Sequence, residues 1–268
     1  MVGSPFSRAA QEHRAAFIAY LLAGDPDLVM SERMATELGA LGVDMIEIGV
    51  PFSDPLADGP TIAGAAARAL ANNVGIEDVL ALASRCHHAA PIVLLSYYNP
   101  VLQFGVETFA SRAAEAGAAA VIIPDLAADG VDFVRRTLHN RGLAMPRFVA
   151  PTTTEERLRS IVASATGFIY VVSRLGVTGL DRQLEVETLA RRVASLRQLT
   201  STPLVVGFGI RTAADVHEIS RFADGVIVGS ALIDAYTSAT TDPVAALTAC
   251  VRPLLASTAK NESTICIT

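Results

Sequence analysis

Two carboxyl residues stand close together in the sequence, where an apolar run passes into a polar loop. Glu47 lies inside the run MIEIGV, and Asp58 follows eleven residues later in the loop PFSDPLADGPT. Side chains alternate along a strand, so Glu47 faces away from the two isoleucines of its run. If those isoleucines pack against helices, Glu47 faces an enclosed mouth, where desolvation raises the pKa of a carboxyl group toward the range useful for proton transfer.

A second carboxylate at the same mouth has a use of its own. Asp58 can accept a hydrogen bond from a substrate N–H and stabilise positive charge that develops on that nitrogen. Each residue also has a structural interpretation. Glu47 can belong to a buried ion pair with Arg or Lys, and Asp58 can form a turn or cap the next helix. The two together favour a catalytic pair.

Three glycine-bearing turns follow later apolar runs of the chain. They are SRLGVTG (173–179), GFGI (207–210) and GS (229–230). Glycine lets backbone N–H groups approach an anion closely, and a helix N-terminus adds partial positive charge there. One such turn is weak evidence because glycine closes turns everywhere, but three at one end of a fold predict a phosphate site.

Several aromatic and apolar residues fall near the ends of the same runs. Tyr170 lies on the sixth run, Tyr20 and Tyr97 lie near the ends of the first and third, and Leu95 and Phe208 can line the same mouth. Such residues commonly belong to the core. They are also suited to holding a flat aromatic substrate between them.

The elements that would position these residues form a repeating pattern of eight short apolar runs. The runs are AFIAYLLAG (16–24), MIEIGV (45–50), IVLLSY (92–97), AVIIPD (120–125), RFVAP (147–151), FIYVVS (168–173), PLVVGFG (203–209) and GVIVGS (225–230). Stretches with helical spacing separate them, such as 30–42, 106–118 and 212–223. Strands that alternate with helices predict a parallel sheet whose strands are covered on both faces.

Eight units favour closure into a single (β/α)8 TIM barrel with extra helices, an α/β fold. An open doubly wound sheet is the alternative, but polar residues at the carboxyl ends of the runs favour the barrel, where enzymes of this fold place their chemistry. We expect one domain over residues 1–268, with a barrel core at about 16–256 and a flexible tail at 257–268. The segment 72–90 is long enough for an extra helix.

Composition limits the class of protein. The chain has 268 residues, 51 % hydrophobic and 18 % charged, with a formal net charge of −6. These values predict a globular protein that does not bind nucleic acid. No apolar run reaches the roughly 18 residues of a membrane helix, so we expect no membrane contact and a cytoplasmic location. Three separated cysteines predict reduced thiols and no metal site.

Six motifs occur in the order in which one enzyme family carries them. They are EIGVPFSDPLADGPTI (47–62), SYYNPVLQFGVETF (96–109), IPDL (123–126), VVSRLGVTG (171–179), GFGI (207–210) and VGSAL (228–232). With them the chain resembles the tryptophan synthase α subunit from about Phe17 to Leu255. The first motif is highly specific, whereas related phosphate-binding barrels share the glycine motifs. The resemblance implies a lyase that cleaves indole-3-glycerol phosphate to indole and glyceraldehyde 3-phosphate.

The resemblance also implies roles for individual residues. Glu47 matches the catalytic acid and base of the family, and Asp58 matches the partner of the indole nitrogen. The implied substrate-pocket residues are Tyr20, Leu95, Tyr97, Tyr170, Thr178 and Phe208, and the implied phosphate-binding residues are Gly179, Gly209, Gly229 and Ser230. Loops 52–60 and 176–184 are expected to close over the substrate.

The implied reaction needs no metal or organic cofactor in this chain. Pyridoxal phosphate is expected only in a β subunit, with which α chains of this family form an α2β2 assembly. Two positions depart from the family: Leu22 stands where threonine is usual, and Leu175 where a small residue is usual. They leave open a stand-alone paralogue that releases indole without a β partner. A low-activity regulatory subunit and another phosphate-binding barrel are the remaining alternatives.

Overall fold

The structure is a computed structural model that describes residues 3–126, 130–173 and 182–260. Its sheet contains eight parallel strands. They are β1 (Ala16–Leu22), β2 (Met45–Gly49), β3 (Ile92–Leu95), β4 (Ala118–Ile122), β5 (Arg147–Val149), β6 (Ile169–Val172), β7 (Leu204–Gly207) and β8 (Gly225–Val228). Each predicted run overlaps one of them, so the strand prediction is confirmed, although β4 begins two residues before its predicted run.

Helices precede, separate and follow these strands. They are α1 (Gly3–Gln11), α2 (Leu28–Leu41), α3 (Pro60–Ala71), α4 (Ile76–Cys86), α5 (Tyr98–Phe104), α6 (Val106–Glu115), α7 (Val131–His139), α8 (Glu155–Ser164), α9 (Arg182–Arg197), α10 (Ala213–Ser220), α11 (Ser230–Thr237) and α12 (Pro243–Ala256). The extra helix expected before the third strand is α4. None of the described helices has the length and apolarity needed to cross a membrane.

The order of the strands closes the sheet almost completely. Neighbouring strands run β4-β3-β2-β1-β8-β7-β6-β5, so the two end strands are consecutive in the chain. A parallel bridge between Ala120 and Ala144, just before β5, links these ends. Val121 N donates to Ala144 O at 2.9 Å, and Ala144 N donates to Ala119 O at 3.1 Å. The predicted (β/α)8 barrel is confirmed, and the open doubly wound sheet is excluded.

The strands are apolar because the barrel buries both of their faces. Every residue of β1, β2, β7 and β8 is buried. The inner faces fill the barrel and the outer faces pack against the helices, so a strict alternation of polar and apolar residues is absent. Glu47 is therefore exceptional, since it is a carboxyl residue inside a fully buried strand.

A second buried carboxyl group lies at the amino-terminal end of β2. Asp44, which directly precedes the strand, is fully buried. It pairs with Arg8 at 2.6 Å and with Arg14 at 2.5 Å, and it accepts a hydrogen bond of 2.8 Å from Phe17 N. These contacts fasten α1 and the start of β1 to β2.

The flexible tail expected at 257–268 was wrong for its first four residues. Ala15 N donates to Thr258 O, and Lys260 N donates to His13 O. Thr258 is buried, and Ala259 forms a bridge with Arg14. Backbone pairing to the segment before β1 therefore holds these residues, while 261–268 lie outside the described residues.

Candidate active site

A cavity of about 280 Å³ opens at the carboxyl ends of the strands. Its walls come from β1, β2, β3, β6 and β8 and from the loops that follow β2, β7 and β8. The described lining residues are Tyr20, Glu47, Asp58, Gly59, Pro60, Thr61, Ile62, Leu95, Tyr170, Phe208, Gly209, Ile210, Arg211, Ile227, Gly229 and Ser230. The catalytic end of a (β/α)8 barrel is the expected place for such a cavity.

Glu47 faces this cavity from the middle of β2. Its side chain is almost completely buried, and its Oε2 atom has no hydrogen-bond partner among the described residues. Burial raises the pKa of Glu47 to about 8, and the negative charge of Asp58 adds to the rise. A buried carboxyl group without a cation or donor is stabilised in its protonated form.

Asp58 faces the same cavity from the loop between β2 and α3. Burial raises the pKa of Asp58 to about 6, while a hydrogen bond with the Tyr97 hydroxyl opposes the rise. That hydroxyl also accepts a hydrogen bond of 2.9 Å from Ala57 N. Tyr97 therefore fastens the loop at the base of Asp58, although it is not among the residues that line the cavity.

The two carboxyl groups hold different charges at neutral pH. With a pKa of about 8, Glu47 is mainly protonated, and with a pKa of about 6, Asp58 is mainly ionised. Two carboxyl groups whose pKa values are separated in this way can serve as a proton donor and a stabilising anion in one cavity. The structural ion pair considered for Glu47 is absent from the described residues, which place no cation against it.

Aromatic rings form one side of the cavity. Tyr170 stacks on Phe148 with ring centroids 4.5 Å apart, and it contacts Phe208 at 5.7 Å. Tyr20 lies on β1 directly opposite Glu47 in the register of β1 and β2. Burial is the main cause that raises the pKa of both Tyr20 and Tyr170, so both hydroxyls stay neutral.

Glycines at the strand ends make room for these tyrosine rings. A Cβ atom on Gly207 would overlap the ring and hydroxyl of Tyr170, and one on Gly49 would overlap the hydroxyl of Tyr20. A Cβ atom on Gly229 would lie 3.2 Å from the Tyr20 ring. The glycine signal in the sequence thus has a packing cause in addition to the predicted anion site.

The predicted phosphate-binding residues that the structure describes are brought together at one end of the cavity. Gly209, Gly229 and Ser230 all line it, and Ser230 is the first residue of α11. Phe208 and Gly209 both have left-handed backbone conformations, with φ of 72° and 75°. Two consecutive residues with positive φ turn the chain sharply after β7. Leu175, Thr178 and Gly179 lie outside the described residues.

Some lining residues were not predicted from the sequence. Thr61 and Ile62 come from the start of α3, Ile210 and Arg211 follow the GFGI turn, and Ile227 lies on β8. A signal for Arg211 was present, because it directly follows a predicted phosphate-binding turn. No cluster of His, Cys, Asp or Glu that could hold a metal ion occurs in the described part of the chain.

The fold and the cavity define a (β/α)8-barrel enzyme whose cavity is lined by two carboxyl groups with raised pKa values. Comparisons with known proteins identify the family. The family described as tryptophan synthase alpha chain matches residues 6–260. The tryptophan synthase alpha chain of Carboxydothermus hydrogenoformans is 45 % identical over 87 % of this chain and 88 % of its own length. That of Acidiphilium cryptum is 40 % identical over 94 % and 97 %.

Solved structures show the same similarity. Tryptophan synthase from Mycobacterium tuberculosis is 38 % identical with a TM-score of 0.89, covering 97 % of this chain and 98 % of that one. Tryptophan synthase subunit alpha from Legionella pneumophila is 32 % identical with a TM-score of 0.87, covering 96 % and 97 %. The chain belongs to the tryptophan synthase alpha chain family. It is a lyase of tryptophan biosynthesis and carries out the α reaction.

Proposed function

We propose that the cavity performs this reaction as a retro-aldol cleavage of indole-3-glycerol phosphate, with Glu47 as the proton-transfer residue and Asp58 as its anionic partner. The observation that carries the proposal is that both face one cavity with pKa values of about 8 and about 6, on opposite sides of neutrality. A retro-aldol cleavage needs a protonated group and an anion at the same time.

Glu47 supplies a proton to C3 of the indole ring. Protonation of this carbon produces a cationic indolenine, which can accept the electron pair of the bond between C3 and the glycerol chain. Asp58 accepts a hydrogen bond from the ring N–H and stabilises that positive charge. The bond then breaks, and indole leaves as a neutral product.

The second proton transfer returns Glu47 to its starting state. After it has donated its proton, Glu47 is a buried carboxylate whose Oε2 atom has no hydrogen-bond partner among the described residues, and it is therefore a stronger base than an exposed one. It takes the proton of the glycerol hydroxyl as that carbon becomes the aldehyde of glyceraldehyde 3-phosphate. Protons and electrons balance without any oxidant or reductant, and this chemistry requires no metal or organic cofactor in the chain.

The remaining lining residues are proposed to bind the two ends of the substrate. Tyr20, Leu95, Tyr170 and Phe208 hold the flat indole ring. Gly209, Gly229 and Ser230 bind the phosphate with backbone N–H groups and a hydroxyl at the start of α11, and we propose that Thr178 and Gly179 complete the site. Closure of the segments 52–60 and 176–184 would exclude water. The first segment ends at the start of α3; in the second, α9 begins at Arg182 and the preceding residues lie outside the described residues.

We further propose that the chain acts as one domain with a β subunit in an α2β2 assembly. In that assembly the β subunit carries pyridoxal phosphate and consumes the indole. Similar solved structures support this proposal, because they are of tryptophan synthase from Mycobacterium tuberculosis, in one case in its aminoacrylate-bound form. The free thiols of Cys86 and Cys250 suit the cytoplasmic location expected from the sequence.

The test is release of indole from indole-3-glycerol phosphate by the purified chain, alone and with an added tryptophan synthase β subunit. We expect slow release alone and faster release with the β subunit. Equally fast release under both conditions would instead identify a stand-alone lyase. No release under either condition would contradict the proposed catalytic roles and favour a regulatory subunit.

A further inference from the structure

An arginine lies at the phosphate end of the cavity, beside the glycines and the helix start that the proposed function assigns to phosphate. Arg211 follows the GFGI turn and lines the cavity with Gly209, Gly229 and Ser230. Its Nη1 atom donates a hydrogen bond of 3.3 Å to the Ser230 hydroxyl. Of the described residues that line the cavity, Arg211 is the one with a positively charged side chain.

The guanidinium group of Arg211 is held in place from one side. Its Nη2 atom pairs with Asp234 at 2.5 Å, one turn along α11 from Ser230. Asp234 also accepts a hydrogen bond of 3.2 Å from the Thr61 hydroxyl at the start of α3. A guanidinium group has five N–H donors, and these contacts use two of them. The other donors have no acceptor within residues 3–126, 130–173 and 182–260, and they can bind an additional one.

The negative charge of the cavity is a reason for a positively charged group at this position. Glu47 and Asp58 are the acidic residues that line the cavity, and at neutral pH Asp58 adds a negative charge there. The carboxylate of Asp58 therefore repels a dianionic phosphate that enters the cavity. Backbone N–H groups supply only partial positive charge against this repulsion. A guanidinium group carries a full charge at every physiological pH and matches the geometry of phosphate oxygens.

We propose that Arg211 binds the phosphate group of the substrate with its side chain, in addition to the backbone groups of the neighbouring turns. This inference rests on the proposed function, because it names a further binding residue for the same substrate. It predicts an affinity for phosphorylated ligands that depends on the charge at position 211, and an affinity for indole that does not.

The test compares Arg211→Gln and Arg211→Lys with the unaltered chain. Calorimetric titration would measure the dissociation constants of glycerol 3-phosphate and of indole, which resemble the two halves of the substrate. We expect Arg211→Gln to weaken binding of glycerol 3-phosphate by about tenfold, equivalent to about 1.4 kcal/mol, and to leave indole binding within about twofold. The affinity of Arg211→Lys for glycerol 3-phosphate should lie between those of the unaltered chain and Arg211→Gln, because lysine keeps the charge and loses the planar guanidinium group.

A matched control exists on the outer surface of the barrel. Arg85 pairs with Glu32 at 2.5 Å with side chains 46 % and 40 % exposed, against 51 % and 40 % for Arg211 and Asp234. Arg85→Gln removes the same charge from an equivalent ion pair at a residue that does not line the cavity. It should therefore leave the dissociation constants of glycerol 3-phosphate and indole unchanged. An equal loss in both variants would show a general effect of net charge and overturn the inference.

Steady-state kinetics separate this inference from the proposed function. Arg211→Gln should raise KM for indole-3-glycerol phosphate by about tenfold, with a much smaller change in kcat. An unaltered chain that cleaves the substrate, with Arg211→Gln showing less than about a threefold change in KM and in the glycerol 3-phosphate dissociation constant, would overturn the role of Arg211 alone. An unaltered chain that releases no indole would overturn the proposed function, while the binding comparison would still decide the role of Arg211.

Discussion

Two buried carboxyl groups, Asp44 just before β2 and Glu47 in the middle of that strand, have opposite environments. Asp44, just before the strand, pairs with Arg8 and Arg14 and accepts a hydrogen bond from Phe17 N. Burial alone would raise its pKa, but these hydrogen bonds lower the pKa of Asp44 below its ordinary value. Glu47, three residues later, has a pKa of about 8 and an oxygen without a partner among the described residues.

The difference shows that burial does not decide the role of a carboxyl group. At Asp44 the surrounding donors satisfy the ionised form, so the group holds the amino-terminal end of the barrel together and has no free proton to give. At Glu47, which lines the cavity, the Oε2 atom has no donor among the described residues, and this favours the protonated form. The energetic cost of an unsatisfied buried group marks a site where function opposes stability.

The largest expected effect is the difference in kcat between substitutions of Glu47 and of Asp44. Glu47→Gln removes the transferable proton and should lower kcat for indole release by about a thousandfold. Asp44→Asn should leave kcat within about twofold for the folded fraction, because Asp44 lies at the opposite end of the barrel from the cavity. Steady-state kinetics normalised to folded protein by circular dichroism would check both. Comparable losses in the two variants would remove the functional distinction between them.

The second expected effect is a loss of folding stability on substitution of Asp44. Asp44→Asn leaves Arg14, largely buried, without its full partner, and should lower the free energy of unfolding by about 3 kcal/mol at pH 7. Urea unfolding monitored by circular dichroism would measure this. The lowered pKa means that the contribution of Asp44 is present above its ordinary pKa and is lost as pH falls through the folded value. A loss that persisted unchanged under strongly acidic conditions would contradict this explanation.

The third effect concerns the anion beside Glu47. Asp58→Asn removes stabilisation of the cationic intermediate and should lower kcat by about a hundredfold. Because the charge of Asp58 helps to raise the pKa of Glu47, the alkaline limb of the pH–rate profile should move below its starting value of about 8. Measurement of kcat/KM against pH in both proteins would test this. An alkaline limb that did not move would show that the two groups do not interact.

The smallest effect concerns the stability cost of Glu47 itself. The folded chain retains the Glu47 proton up to about pH 8, whereas the unfolded chain loses it near 4.5, so the free energy of unfolding falls as pH rises between these values. Glu47→Gln removes this penalty and should raise the free energy of unfolding by roughly 2 kcal/mol at pH 6, with little change at pH 4. Chemical unfolding at both pH values provides the measurement. Equal stability of both proteins at pH 6 would contradict the raised pKa of Glu47.

The features that could be predicted are those that produce a recognisable pattern within a short stretch of the sequence. Strands buried on both faces appear as apolar runs, and a carboxyl residue within such a run, Glu47, is conspicuous. The loop that carries Asp58 is conspicuous because three prolines and a glycine fix its backbone. Near-closure of the barrel agrees with the number of strands, but the bridge between Ala120 and Ala144 has no local signature.

Other features depend on residues far apart in the chain and could not be predicted in this way. Asp44 and Glu47 are both carboxyl residues at β2, and only the folded chain shows that Arg8 and Arg14 surround the first. Arg211 likewise becomes a cavity residue through the approach of α11, whose Asp234 fixes its direction. Packing of the segment 257–260 against the residues before β1 was missed for the same reason.

The close fit between Gly207 and the ring of Tyr170 has an evolutionary consequence. A side chain at position 207 would overlap that ring, so the two positions cannot change independently. A lineage that widens or reshapes this part of the cavity must first replace the tyrosine with a smaller residue and can only then acquire a side chain at 207. The order of substitutions is therefore constrained: position 170 can change while Gly207 is kept, whereas a side chain at position 207 requires the earlier change at 170.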